Sequence, residues 1–252
     1  MVSGKLCRLA LALTVVALAL AAPAVARAPE TKLTLTPNVA GKGSTLSVES
    51  KGQSEQIGDR MVRSAILSVQ RGFKVDPRSR AARCNAQQAE RFSCPEASRI
   101  GSGRAVVNAS GLIVPGGSQD FTAAIDLFLA PPVRRGDIAG VVASVSEPTT
   151  GQRGTATGRL VKVPTGPYGI ELRFDRFPSV EPPPGVTIKL KELSLKAGAK
   201  RTVKRGRKRF TFNLITNPAK CRGTFKGRVD IGFTDGSSLS TNIAAPCRNP
   251  PR

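Results

Sequence analysis

The chain has 252 residues, a formal net charge of +22 and no histidine. The missing histidine excludes Ser-His-Asp and Cys-His nucleophile activation, histidine general bases and most catalytic zinc sites. Aromatic side chains are scarce, with no tryptophan and one tyrosine. Because single-stranded nucleic acids are bound largely by stacking on aromatic rings, this composition disfavours a specific nucleic-acid partner.

The first 26 residues have the pattern of a secretory signal peptide. Lys5 and Arg8 give a positive start, and the apolar run Leu9–Ala22 follows. Ala24-Val25-Ala26 then supplies the small residues that signal peptidase requires, so we expect cleavage after Ala26. The alternative is a membrane anchor, but 14 apolar residues are fewer than the roughly 20 that a spanning helix needs. We therefore expect residues 27–252 to be secreted, extracellular or cell-surface associated, with no transmembrane segment after cleavage.

Four cysteines fall in this predicted mature region: Cys84, Cys94, Cys221 and Cys247. An even number in an exported chain indicates two disulfides. Three pairings exist, and we favour Cys84–Cys94 and Cys221–Cys247 because each encloses a compact segment. In the chain-entropy model each bridge contributes about 3 kcal/mol. A zinc site made of all four cysteines is the rival interpretation, disfavoured because there is no close Cys-x-x-Cys pair. No metal site and no cofactor is predicted.

Alternating apolar and polar residues dominate the region and predict half-buried strands. In chain order the segments are Thr31–Thr36, Ser44–Ser50, Arg104–Asn108, Phe121–Leu129, Tyr168–Asp175, Val186–Leu195, Phe210–Leu214, Phe225–Phe233 and Leu239–Ala245. The alternation shifts by one residue between Leu190 and Leu193, which predicts a β-bulge. Asp235-Gly236 predicts a hairpin turn. We expect Phe210 and Phe212 to belong to the core.

Other segments predict turns, a loop and one helix. We place a turn at Gly101–Gly103 and a loop at Glu147–Gly154. The composition of Ser79–Arg91 favours helix, and most of it lies between the first two cysteines. The spacing of the strands predicts a mainly β chain, an antiparallel β-sandwich with this one short disulfide-clipped helix. A weak subdomain boundary is predicted near 111–118.

Two resemblances add to this interpretation. Pro37–Val48 resembles the first two strands of bacterial immunoglobulin-like domains. A larger part resembles uncharacterised secreted β-rich proteins of Actinobacteria. The features that carry the second resemblance are Gly72-Phe73, Cys84 and Cys94, Ser98–Gly101, Cys221, Asp235-Gly236 and Pro246-Cys247. These resemblances imply export and a β fold, and they assign no activity.

Positive charge is concentrated in one late segment. Its eight basic residues are Lys196, Lys200, Arg201, Lys204, Arg205, Arg207, Lys208 and Arg209, and no acidic residue occurs from Leu193 to Val229. Because the flanking segments predict strands, we expect a protruding basic hairpin or loop. Clustered cations attract polyanions and release their counterions. The predicted partners are anionic cell-envelope polymers or lipid head groups, and the alternative is a solvated basic face without a ligand.

Carboxylate chemistry needs no histidine, since glycoside hydrolysis uses two acidic side chains. Glu171 and Asp175 share one strand face but lie about 13 Å apart at ~3.3 Å per residue, too far for a catalytic pair. Together with Arg173 they predict an exposed, charge-balanced face. We therefore assign no catalytic residue and expect a non-enzymatic secreted or cell-surface protein. The alternatives are a carboxylate-dependent hydrolase of cell-wall glycans and a purely structural module.

Overall fold

The structure, a computed structural model, describes residues 30–51, 62–111, 114–149, 151–177 and 184–251. The predicted signal peptide lies outside the described residues. The strands within these ranges are β1 Glu30–Thr36, β2 Gly43–Lys51, β3 Val62–Gln70, β4 Lys74–Val75, β5 Arg99–Gly111, β6 Ser118–Ala130, β7 Ala139–Ser146, β8 Arg153–Lys162, β9 Tyr168–Phe174, β10 Val186–Ala197, β11 Lys200–Arg205, β12 Lys208–Asn213, β13 Ile215–Thr216, β14 Thr224–Phe233 and β15 Ser238–Pro246. The helices are α1 Ala86–Glu90 and the short 3-10 segments Pro77–Ser79, Glu96–Ser98 and Pro115–Gly117.

Thirteen of these described strands form one continuous sheet. Its order is β15-β14-β3-β9-β8-β7-β6-β5-β10-β2-β13-β4, and β1 pairs with β2. The sheet curves until β1 lies against β15. Backbone hydrogen bonds join the segments that follow these two strands, from Ala40 N to Arg248 O at 2.9 Å and from Arg248 N to Asn38 O at 3.1 Å. The predicted mainly β, antiparallel class is confirmed, but the predicted division into a two-sheet sandwich is wrong.

The described residues form three clusters of buried apolar side chains, and two of them fill the curved sheet. The first joins strands from its two ends and includes Leu33, Leu35, Phe73, Ile170, Phe225 and Ile243. The second lies under β5 to β10 and includes Leu127, Leu129, Val141, Leu160 and Phe174. Val75 and Ile138 pack against both clusters. The alternation of β1, with Leu33 and Leu35 buried between exposed neighbours, is the predicted pattern of a half-buried strand.

Two local predictions are confirmed by the strand register. The pairing of β10 with β5 shifts between Leu190 and Glu192, where the sequence predicted a β-bulge. β14 and β15 pair antiparallel around Asp235-Gly236, and Gly236 adopts a φ of +84°. Such a left-handed conformation is easiest for glycine, which explains the turn.

Both favoured disulfides form. Their Cα–Cα distances are 5.0 Å for Cys84–Cys94 and 5.8 Å for Cys221–Cys247. The zinc alternative is therefore wrong, since all four sulfur atoms are oxidised. The two bridges indicate an oxidising environment.

The helix beside the first disulfide is shorter than Ser79–Arg91. It begins after Asn85, which forms a capping box with Gln88. Upstream, the guanidinium of Arg83 donates to the carbonyls of residues 77, 80 and 82 at 2.7 to 3.0 Å. These carbonyls are thus satisfied outside a helix, so the local preference for helix is not realised there.

The strands around the middle of the sheet depart most from the predictions. Gly101–Gly103 belongs to β5 and is not a turn. A Cβ atom at either glycine would collide with backbone oxygens of β10, so these glycines permit close approach of two strands. The predicted loop Glu147–Gly154 ends earlier, because β8 begins at Arg153. β7 was not predicted, because its residues 139–143 are all buried and therefore show no alternation.

Candidate functional site: a cationic hairpin

Residues 200–213, here called the cationic hairpin, form a two-stranded unit separate from the main sheet. The register runs from Lys200 opposite Asn213 to Arg205 opposite Lys208. Gly206 has a φ of +58° and takes the first central position of the two-residue loop, where type II′ turns favour glycine. The basic segment is thus folded as a hairpin, which places its cations at fixed spacings.

The register divides the side chains of the hairpin between two faces, because directly opposed residues share a face. The polar face consists of Lys200, Thr202, Lys204, Arg209, Thr211 and Asn213. The phenylalanine face consists of Arg201, Val203, Arg205, Lys208, Phe210 and Phe212. A contact of 3.3 Å between the hydroxyls of Thr202 and Thr211 agrees with this division. Each face carries three cations, and Arg207 lies in the loop.

Like charges face each other at the end of the hairpin. Lys204 opposes Arg209 and Arg205 opposes Lys208, and all four side chains are exposed. Directly opposed like charges destabilise a strand pair. None of the ion pairs formed between described residues includes a side chain of the hairpin. The described residues therefore leave the charge of this unit uncompensated.

The base of the phenylalanine face rests on the segment 76–83. The guanidinium carbon of Arg78 lies 4.7 Å from the centroid of the Phe212 ring, within cation–π distance. Arg78 also binds Asp76, with Nη2 and Oδ2 separated by 2.8 Å, and this hydrogen bond lowers the pKa of Asp76. Burial lowers the pKa of Arg83, and the nearby charge of Arg201 acts in the same direction. The segment thus anchors the hairpin and adds cations at its base.

A groove of about 1120 Å³ opens beside the polar face. Lys200, Thr211 and Asn213 of the hairpin line one part of it, and Lys42 and Pro250-Pro251 line another. Among the described residues, no acidic side chain lines this groove. The groove and the polar face share Lys200, Thr211 and Asn213. Lys42 adds a second cation to the groove, so the two surfaces form one continuous cationic path.

The structure brings seven of the eight predicted cations into the hairpin. Lys196 instead lies in β10, opposite Ser47 and Ser102. Two cations that were not predicted, Lys42 and Arg83, reach the same region from early in the chain. Lys42 lies in no basic run, and Arg83 lies in a short stretch with Arg78 and Arg80 that the sequence does not connect to residues 200–213.

One aromatic prediction needs correction. Phe210 is 42 % exposed, and Phe212 is half-buried beneath Arg78. Neither ring belongs to a buried cluster of the described residues, so the predicted core position is wrong for both. Alternation identifies which residues share a strand face. It does not show whether another layer covers that face, and the outer half of this hairpin lies beyond the segment that covers its base.

The acidic residues that were weighed for catalysis are bound to cations. Glu171 is 7 % exposed and accepts hydrogen bonds from Ser68 Oγ at 3.2 Å and Arg173 Nε at 2.6 Å. The predicted exposed, charge-balanced face is therefore wrong for Glu171. Nearby, Arg159 binds Asp137 at 3.3 Å and Asp175 at 2.8 Å. The hydrogen bond with Asp175 is the main cause that raises the pKa of Arg159. We call Glu171, Arg173, Arg159, Asp137 and Asp175 the paired cluster.

Two further carboxylates have the same character. Asp126 binds Arg99 at 2.5 Å and Asp120 binds Lys191 at 2.6 Å. The hydrogen bond from Lys191 lowers the pKa of Asp120. These contacts neutralise the carboxylates, and neither of these two acids lines the groove beside the hairpin.

The fold and the site define a mainly antiparallel β protein with two disulfides and an uncompensated cationic hairpin. No protein-family model, curated protein or solved structure matches the chain, so both resemblances stay predictions. The helices of the described ranges all fall short of the length and hydropathy that a membrane span requires. Within the same ranges, no three His, Cys, Asp or Glu side chains gather as metal ligands.

Proposed function

We propose that the protein is exported and binds anionic polymers of the cell envelope, without catalysis, through the cationic hairpin. The uncompensated like-charged pairs at the end of the hairpin are the observation that carries this proposal. A bound polyanion relieves their repulsion and releases the counterions of both partners. The two disulfides support export, because such bonds persist in oxidising compartments.

The geometry favours an extended polymer as the partner. Lys200 and Lys204 lie on the same face and are four residues apart, about 13 Å at ~3.3 Å per residue. Lys200 also lines the groove, and Lys42 continues the cationic path beyond it. A chain with repeated phosphates contacts several of these cations at once. Such binding weakens as salt increases, because the contacts lie at the surface.

A pair of charge-matched variants tests this proposal. In the hairpin variant, Lys204, Arg205, Lys208 and Arg209 are replaced by Gln. In the control variant, four exposed cations elsewhere are replaced by Gln: Lys32, Arg91, Arg135 and Arg222. Retention on purified cell walls that keep their phosphate polymers is then measured at low and high salt. We expect the parent and the control to bind at low salt only, and the hairpin variant to bind about tenfold more weakly or worse.

The other outcomes contradict the proposal in different ways. An equal loss in both variants assigns the binding to net charge alone. If both variants are retained as strongly as the parent, the hairpin is not part of the binding surface. Vesicles of anionic lipid form a second arm, and binding to vesicles without binding to walls makes lipid head groups the target. If neither surface retains the parent, the proposal is wrong.

A further inference from the structure

A second groove, of about 590 Å³, lies at the seam between the two core clusters. Its walls are the β3–β4 connection with β4 on one side, and the end of β8 with the start of β9 on the other. None of its lining residues belongs to the cationic hairpin. The volume lies in the ~300–1,000 Å³ range of small-molecule sites.

The floor of this seam groove is apolar. Phe73 and Ile170 line it and are each 6 % exposed. Val75 and Ile138 also line it, and both pack against the two clusters. The ring of Phe73 packs edge-on against Phe225 with centroids 5.4 Å apart. This floor offers fixed apolar surface to an alkyl chain or an aromatic ring.

The rim of the seam groove is cationic. Arg71, Lys74 and Lys162 line it and are exposed. Within the described part of the chain, no acidic residue lines the groove and no ion pair includes any of these three cations. Arg71 Nε donates to the carbonyl of Gly166 at 2.6 Å, which holds the guanidinium over the β8–β9 turn.

Hydrogen bonds between backbone groups fix the walls. Arg71 N donates to Pro167 O at 3.1 Å, and Val163 N donates to Gly169 O at 3.0 Å. A Cβ atom at Gly169 would lie 3.1 Å from the Cα of Arg71, so glycine permits the close approach of these segments. The groove is therefore preformed, which lowers the cost of ordering on binding.

We infer that the seam groove binds a small amphiphile with an apolar body and an anionic headgroup. The apolar body lies on Phe73, Val75, Ile138 and Ile170, and the headgroup meets Lys74 and Lys162 at the rim. Carboxylate, sulfate and phosphate headgroups share the chemistry that this rim recognises. This inference does not depend on the proposed function, since the two sites have no residue in common.

Titration calorimetry with decanoate, below its micelle concentration, tests the inference on the folded parent chain. Decanol has the same chain without the charge, and hexanoate has the same charge with four fewer methylenes. We expect decanoate to bind about tenfold more tightly than decanol. Each buried methylene should contribute about fourfold in affinity, so hexanoate should bind at least about tenfold more weakly than decanoate.

A double variant locates the site. Lys74→Gln with Lys162→Gln should weaken decanoate binding by about fivefold or more. Lys204→Gln with Arg209→Gln removes the same charge from the hairpin and should leave it unchanged. The inference is overturned if decanoate does not bind. It is also overturned if decanol or hexanoate binds as tightly as decanoate. It is also overturned if the hairpin substitutions, and not the rim substitutions, weaken binding.

Discussion

Arg159 and Arg173 face each other across β8 and β9, and Lys204 and Arg209 face each other across the cationic hairpin. In the sheet, the like charges are compensated, because Asp137 and Asp175 bind Arg159 and Glu171 binds Arg173. In the hairpin, the described residues supply no such carboxylate. The same cross-strand arrangement is therefore compensated within the fold in one region and uncompensated by described residues in the other, where we propose that it binds an anion. If this contrast holds, substitutions in the two regions should change stability in opposite directions.

The largest effect on stability is expected for Arg159→Ala. The substitution leaves Asp137, whose side chain is 5 % exposed, without its cationic partner. An uncompensated buried charge is costly, and we expect a loss of about 2 kcal/mol after allowing for the exposed part of the cluster. Urea denaturation measures the loss. The control is Arg135→Ala at an exposed position, and its stability should stay within about 0.5 kcal/mol of that of the parent. Equal losses of stability in the two variants would contradict the structural role of the paired cluster.

A smaller loss is expected for Glu171→Gln. The amide keeps the size of the side chain and a contact with Ser68, but it loses the charge that Arg173 compensates. We expect the free energy of unfolding to fall by about 1 kcal/mol, and the same urea denaturation measures this loss. If Glu171→Gln equals or exceeds the parent in stability, the buried ion pair is not a source of stability.

Asp76 links stability to pH at the base of the hairpin. Because Arg78 lowers the pKa of Asp76 below the ordinary value of 3.8, the folded state gains stability at pH values above 3.8 and loses it as pH falls through the lowered pKa. Near neutral pH, the free energy of unfolding of the parent should exceed that of Asp76→Asn by less than about 1 kcal/mol. The difference should vanish in strong acid, and a difference that grows on acidification would contradict this linkage.

The smallest effect has the opposite sign. Lys204→Glu converts one like-charged pair into an attractive pair with Arg209, so we expect a gain of about 0.2–1 kcal/mol. The same variant should bind cell walls more weakly than the parent. Arg222→Glu changes net charge equally and should not stabilise. A loss of stability in Lys204→Glu would contradict the claim that the opposed cations of the hairpin repel each other.

Local chemistry made part of this fold predictable. The two disulfides follow from cysteines that enclose compact segments, and the bulge near Leu190 follows from a break in alternation. The closure of the sheet is not local, since it depends on β1 meeting β15 from the other end of the chain. Glu171 alternates like an exposed residue, and its burial arises from Arg173 and from Ser68 on a neighbouring strand.

The same distinction applies to the candidate sites. The hairpin cations were predictable because they are adjacent in sequence. Lys42 joins them only through folding, and so does Arg83. The seam groove collects its rim from Arg71, Lys74 and Lys162, which carry no shared pattern in the sequence.

The claim that the hairpin cations bind a polyanion is tested most directly by salt dependence. The affinity of the parent and of the four-residue hairpin variant for a purified phosphate polymer of the cell wall is measured across a salt series. Each phosphate that a cation neutralises contributes a slope of about 0.7 in flexible single-stranded polyanions. We predict that the variant flattens the logarithmic slope by as much as about 3, whereas the control variant keeps it. Identical slopes for the parent and the hairpin variant would contradict the claim.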